Sequence, residues 1–305
     1  MTGAGRIDVH AHYLPDLYRE ALRDAGHDQP DGFPFLPEWS PEEHVALMDR
    51  VGIARSLLSV SSPGVLGDRD LARAVNEAGH RAVVDHPDRF GLLASLPLPD
   101  VDAAMAEIAH CVEHLSVDGF VLLTNFDGTY LGDPSLRPLF RELDRRRARV
   151  LLHPTSPPCW ERTSFGRPRP MVEFLFDTSR AVVDLVLDGT IAAHPELELI
   201  VPHAGAALPV LADRVRAFSA LLAPGIDVVR DLGRLHYDLA GQVLPRQLDA
   251  VLAITTIDHL HYGSDFPFTP EPVVAAAADG LDAVPDLADA LRDNTERLFA
   301  RPAGR

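Results

Sequence analysis

The sequence predicts a single α/β domain over residues 1–305, a (β/α)8 barrel of TIM type with long loops after its first and fifth strands. Three observations carry that expectation. Eight short apolar runs rich in Val, Ile and Leu recur along the 305 residues. Amphipathic stretches of helical period separate them, the pattern of repeated strand–helix units around a parallel sheet. The polar residues best suited to chemistry fall at the ends of the runs, where a barrel carries its active-site loops.

In chain order, the first run is 7–12, Ile7-Asp8-Val9-His10-Ala11-His12. Period-two alternation turns both of its imidazoles to one side, into the barrel mouth. Residues 13–39 are too long and too rich in Pro, Gly and aromatics for a simple connector, and read as a functional loop. Ser40-Pro41-Glu42-Glu43 supplies an N-cap, a first-turn proline and early acids for a helix over 41–51. Run 56–61 leads to a helix at 68–85, run 90–97 to one at 101–115, and run 119–124 to one at 136–147. Run 150–154 opens into a second long loop, 155–170, ahead of a helix at 171–188. Runs 197–203, 235–239 and 261–266 are followed by helices at 208–221, 245–255 and 272–279. The stretch 276–300 closes the chain as a helix pair, and the tail beyond it is the segment read as disordered.

Composition narrows the chemistry. The formal net charge of −17 repels nucleic acid and anionic lipid. All 28 basic residues are arginine, so Schiff-base catalysis, lysine-anchored pyridoxal phosphate, a phosphate-loop lysine and a carbamylated-lysine metal bridge are excluded. Cys111 and Cys159 are too few for a disulfide framework and lack zinc-site pairing, which indicates a reducing compartment. No leader pattern precedes the first run, and no apolar run approaches about 18 residues. These features predict a cytoplasmic protein with neither membrane nor nucleic-acid partners. Hydrophobic residues at 46% and charged ones at 24% suffice for a full core.

His10 and His12 can chelate one metal ion from positions i and i+2. His153 ends the fifth run, His203 the sixth, and Asp265 follows the eighth. Singly, His153 reads equally as a core histidine bonded to backbone, and Asp265 as a helix N-cap or loop carboxylate. Agreement across four strands favours a metal centre. Asp238, ending the seventh run, is a candidate to orient a metal histidine. His27, His44, His80, His86, His110, His114 and His259 read as solvated, His194 as a turn residue, and His236 and His261 as packed within strands.

These residues resemble the amidohydrolase superfamily, and within it the amidohydrolase-2 group of aminocarboxymuconate-semialdehyde, γ-resorcylate and 6-methylsalicylate decarboxylases. The likeness spans nearly the whole chain. It rests on Asp8-Val9-His10-Ala11-His12, Val121-Leu122-Leu123-Thr124-Asn125 with Tyr130-Leu131-Gly132-Asp133-Pro134, Leu152-His153-Pro154-Thr155-Ser156-Pro157, Pro202-His203-Ala204-Gly205, and Gly263-Ser264-Asp265-Phe266-Pro267. The resemblance implies that His10, His12, His153 and Asp265 bind one divalent ion, with His203 beside it as an acid/base. Dinuclear relatives carry a bridging lysine where this chain reads Leu123-Thr124-Asn125, so a mononuclear site is implied. Three nitrogens and a carboxylate suit Zn2+, with Mn2+ as the alternative, and no organic cofactor is called for. Arg214, eleven residues after His203, matches an arginine that reaches the partner subunit's site, which implies a homodimer or higher homo-oligomer; its other reading is a solvated helical arginine. The family's second arginine has no counterpart, and Ala204 departs from the glycine run of some members.

The function implied is decarboxylation of a small 2-hydroxybenzoate-like or enolic acid, with Asp265 or His203 supplying the proton. Metal-dependent hydrolysis of a lactone, ester or amide, and a metal-storing or sensing barrel, are the rival readings. Candidates for the ring pocket are Tyr13 and Trp39 in the first loop, Trp160 and Phe165 in the second, and Phe266. Arg180 is a candidate for the substrate anion.

Overall fold

The computed structural model describes residues 5–300; residues 1–4, ahead of the first run, and 301–305, the tail expected from the sequence to be disordered, lie outside the described residues. Eight parallel strands follow one another around the sheet in chain order: β1 (Arg6–His12), β2 (Ile53–Ser59), β3 (Phe90–Ser95), β4 (Gly119–Leu123), β5 (Arg149–His153), β6 (Glu198–Val201), β7 (His236–Asp238) and β8 (Leu260–His261). Bridges from Asp8 to Tyr262 and from Ala11 to Phe266 join the last strand to the first and close the barrel. A small hairpin, Asn125–Phe126 with Thr129–Tyr130, stands on the loop after β4.

The helices among the described residues are α1 (Asp16–Asp24), α2 (Pro41–Val51), α3 (Arg69–Asp85), α4 (Val101–His110), α5 (Arg137–Arg145), α6 (Trp160–Thr163), α7 (Glu173–Leu187), α8 (Thr190–Ala193), α9 (Leu208–Leu222), α10 (Val228–Gly233), α11 (Gln247–Val251), α12 (Glu271–Asp282) and α13 (Leu287–Ala300). The cap read at Ser40 is present: its side chain accepts from Glu43 N at 3.2 Å. Asp68 and Asp100 cap α3 and α4 in the same way. None of these helices is long and apolar enough to cross a membrane.

An inner layer of Val9, Leu57, Leu93, Leu151 and Ile200 fills the barrel, with Leu298 of α13 at one end. Arg149 Nε donates to Leu298 O at 3.0 Å, tying that helix to the N-terminal end of β5. The opposite, C-terminal mouth is left for the long loops.

Several boundaries differ from the sequence reading. Of the run 261–266 only His261 lies in regular strand, which spans Leu260–His261, and farther along Asp265 adopts a left-handed φ of 57°. The segment still holds its place through Asp265 N to His10 O and His12 N to Phe266 O, both 2.7 Å. The helix read over 101–115 changes to a π-type turn at Cys111–Leu115. The helix read over 245–255 shrinks to α11, and the loop 13–39 contains α1, whose Tyr18 and Leu22 are buried. His44 is a correction: it is wholly buried, sharing the inner face of α2 with Leu47 and Met48.

Candidate active site

β1 departs from a plain strand where it matters. Its register against β2 slips between Asp8 and Ala11. That bulge lets Val9 join the inner apolar layer while His10 and His12, farther along, both face the mouth. Gly263 makes room for this: a Cβ there would lie 2.9 Å from His10 Cβ and 3.1 Å from Ala240 Cβ.

The residues expected to hold an ion meet. One ligand atom each from His10, His12, His153 and Asp265 lie within 4.8 Å of one another. Each histidine spends Nδ1 elsewhere. His10 Nδ1 donates to Asp238 Oδ2 at 2.8 Å, His12 Nδ1 to Ser59 O at 3.3 Å, and His153 Nδ1 to Pro154 O at 2.7 Å. A carbonyl or carboxylate can only accept, so Nδ1 carries the hydrogen and the Nε2 lone pairs are left for the centre. Among the described residues, His10 Nε2 and His12 Nε2 are buried without a hydrogen-bond partner. Two orphaned imidazole nitrogens, a third histidine and a carboxylate fit a divalent cation.

Charge within the group is already divided. Burial disfavours a protonated His10, but the Asp238 carboxylate beside it outweighs this and pushes its pKa up to about 9. Burial lowers His12, and burial with the neighbouring histidines holds His153 well below its ordinary value. Burial would raise Asp265, yet His12 at 3.2 Å and His203 at 3.8 Å hold it well below the usual carboxylate range. Without a cation, His10 therefore carries the positive charge, its second proton on Nε2, where an incoming ion would have to displace it.

Asp238 does more than the sequence reading asked of it. Its Oδ1 accepts from His203 N and Ala240 N, each at 3.0 Å, so one buried carboxylate orients His10 and fixes the start of the His203 turn. That turn has left-handed φ at His203, Ala204, Gly205 and Ala206. Gln247 Nε2 holds it by donating to His203 O at 2.5 Å and Ala206 O at 3.3 Å. The result sets His203 Nε2 3.8 Å from Asp265 Oδ2 at the edge of the ligand group. Gln247 escaped the sequence reading because nothing local to residue 247 marks a contact 44 residues away.

A cavity of about 810 Å³ opens between the ends of β2 to β5 and the two long loops; none of the ligand residues lines it, but its wall residue Val60 adjoins Ser61, whose Oγ lies 3.5 Å from His153 Nε2. Val60, Ser95, Val121, Leu123, Thr155 and Trp160 are among its walls. Of the other residues expected around a ring, Tyr13 and Trp39 are packed inward. Tyr13 donates to Val75 O, and the Trp39 indole donates to His44 Nδ1 at 2.9 Å. Phe266 packs on the His44 ring, 5.0 Å between centroids, and Phe165 is exposed. Arg180 is held at Asp177 and Tyr130, because the wholly buried Asp177 also gathers Thr124 and Asn125 and needs a counter-charge. Arg214 is exposed on α9 over the Phe218 ring, outside this chain's own centre. Arg169, unread in the sequence, lines the cavity against Trp160, its guanidinium carbon 4.1 Å from that ring's centroid.

The amidohydrolase family pattern matches residues 7–301. A decarboxylase of Aspergillus niger is 34% identical over 289 residues, 87% of this chain and 78% of that one. The 6-methylsalicylic acid decarboxylase of Aspergillus aculeatus is 31% identical over 319 residues, 97% of this chain and 96% of that one. A crystallised amidohydrolase II superposes with a TM-score of 0.93 at 34% identity, covering 97% of this chain and 100% of its own. The chain belongs to the amidohydrolase family and, within it, to the carboxy-lyases.

Proposed function

We propose that this protein is a non-oxidative, metal-dependent decarboxylase of small 2-hydroxybenzoate-type acids, 6-methylsalicylate-like in size. The observation that carries the reading is His203 Nε2 beside Asp265 Oδ2 at the rim of the four-residue ligand group. In this reading the pair handles the proton that the ring carbon gains when its carboxyl group leaves. The relative from Aspergillus aculeatus, a 6-methylsalicylic acid decarboxylase, supports carbon dioxide release over hydrolysis of a lactone, ester or amide.

His10, His12, His153 and Asp265 would hold the ion, Zn2+ by the nitrogen-rich donor set, with Mn2+ as the alternative. When bound, it supplies Lewis-acid polarisation of the substrate carboxylate and ortho hydroxyl. The protein's own residues handle the proton. His203, fixed through Asp238 and Gln247, delivers a proton to the ring carbon that bears the carboxyl group. The carbon–carbon bond then breaks, its electron pair restores the aromatic ring, and carbon dioxide leaves with the former ring carbon carrying hydrogen. Asp265, held anionic by its histidines, is the poorer acid; its carboxylate faces His203 Nε2 and keeps the imidazole aimed.

A homodimer fits the exposed apolar stripe of Val210, Phe218, Leu221 and Leu222 on α9 around Arg214. In that arrangement Arg214 binds the substrate carboxylate of the partner's site. The free Cys111 and Cys159 accord with a cytoplasmic location. The test is carbon dioxide release from a panel of 2-hydroxybenzoic acids by the metal-loaded protein. Carbon dioxide from 2-hydroxybenzoates supports the reading; turnover of lactones or amides with none from the acids overturns it.

A further inference from the structure

The cavity beside the ligand group has one feature that decarboxylation of a plain 2-hydroxybenzoate does not require. Leu93 of β3 points into the inner layer, so Ser95, two residues on, points the same way at the mouth. Ser95 lines the cavity and is 4% exposed. Among the described residues its Oγ has no hydrogen-bond partner. A buried hydroxyl left in that condition is costly unless something else pairs with it.

The backbone around it is fixed by a side chain from another element. Asn76 of α3 accepts from Ser95 N at 2.8 Å and donates to Ser95 O at 2.9 Å. Asn76 also donates to Glu107 Oε1 at 2.8 Å, and Glu107 is held in turn by Arg73 Nε at 2.9 Å. The chain Arg73, Glu107, Asn76 thus locks the main chain of Ser95 on both sides while the hydroxyl stays unspent. A rigid, unpaired, buried hydroxyl in a cavity wall is how a recognition group is presented. The adjacent walls, Val60, Val121 and Leu123, are apolar. A serine hydroxyl can donate or accept, so a ring hydroxyl seated against these apolar walls can pair with it in either sense.

We infer that Ser95 is a specificity-determining residue that hydrogen-bonds a ring hydroxyl of the substrate beyond the carboxylate and its ortho hydroxyl. The substrate class narrows from 2-hydroxybenzoates at large to those carrying a further hydroxyl on the side facing β3. The inference rests on the decarboxylase reading. A methyl group has nearly the shape of a hydroxyl but leaves Ser95 unpaired, so the two substituents isolate the hydrogen bond.

The experiment compares kcat/KM of the metal-loaded wild type and Ser95→Ala on 2-hydroxybenzoates matched in pairs, with hydroxyl against methyl at each remaining ring position. The expected result is one position at which wild type prefers hydroxyl by roughly tenfold or more. In Ser95→Ala the hydroxyl substrate at that position slows while its methyl partner does not, and the preference collapses; preferences at the other positions persist. A variant that keeps the preference, or that weakens every pair alike, overturns the role of Ser95. Carbon dioxide release without any hydroxyl preference overturns this inference alone. No carbon dioxide from any pair overturns the decarboxylase reading and this inference with it.

Discussion

Replacing Asp238 with asparagine tests the electrostatic design of the centre with almost no change of shape. The two backbone bonds survive, because a single oxygen, Oδ1, receives both His203 N and Ala240 N, and an asparagine carbonyl can take its place. What changes is the other arm. An amide NH2 then faces His10 Nδ1 at the 2.8 Å now spanned by the carboxylate contact. Nδ1 becomes the acceptor, the ring hydrogen moves to Nε2, and the lone pair aimed at the ligand group is lost. Metal affinity is expected to fall at least 10- to 100-fold, roughly the range for loss of a histidine's orienting partner. The metal-free protein also loses stability, with a definite pH signature. His10 is raised from 6.5 to about 9 in the fold. That lift is a preference of the folded protein for the protonated ring. Because the folded value lies above the unfolded one, the contribution is complete below about pH 6.5 and disappears as pH rises through 9. Urea unfolding of chelator-treated wild type and Asp238→Asn at pH 6, 7.5 and 9.5 should show a stability gap that narrows with increasing pH. Equal metal affinity in the two proteins, or a gap that widens with pH, refutes the reasoning.

Four other expectations follow from the same geometry. His203→Ala should keep its metal and lose about 10²- to 10⁴-fold in kcat, as expected for a general acid, and unchanged turnover would remove it from the chemistry. Metal affinity should weaken by up to tenfold for each pH unit below about 9, because the ion must displace the His10 proton; chelator competition at pH 7, 8 and 9 measures this, and a flat profile contradicts it. Gly263→Ala forces a methyl against His10 Cβ. It should cost about 1–3 kcal/mol in unfolding experiments together with metal affinity, whereas a stable, fully loaded variant would show that the close approach is dispensable. Arg214→Ala should raise KM with kcat nearly preserved; an unaltered KM would leave this arginine with no role beyond its contact with Phe218.

Which residues form the centre was legible in the chain because strand alternation and strand-end position are local signals. His10 with His12, His153, His203 and Asp265 each announce themselves within a few residues, and the order of eight strands followed from their runs. How they are aimed was not local. The β1 bulge that separates Val9 from His10 leaves no mark in an alternating sequence, and the Asp238 to His10 contact spans 228 residues. His44 reads as solvated from the chain alone, yet it shares a buried helix face with Leu47 and Met48 and accepts from the Trp39 indole, a partner that only the fold brings to it. Arg180 lies one turn along α7 from Asp177, but the sequence does not show that Asp177 gathers four donors and claims that charge. The short helices α6, α8 and α10 are too brief for a 3.6-residue period to emerge.

The most direct test of the account measures metal content and carbon dioxide release on the same purified sample, with 2-hydroxybenzoic acids as substrates, before and after chelation. The account predicts about one divalent ion per chain, carbon dioxide from the loaded protein, loss of release on chelation, and recovery when the ion is restored. Undiminished release from metal-free protein, or a fully loaded protein that leaves every 2-hydroxybenzoate intact, would contradict it.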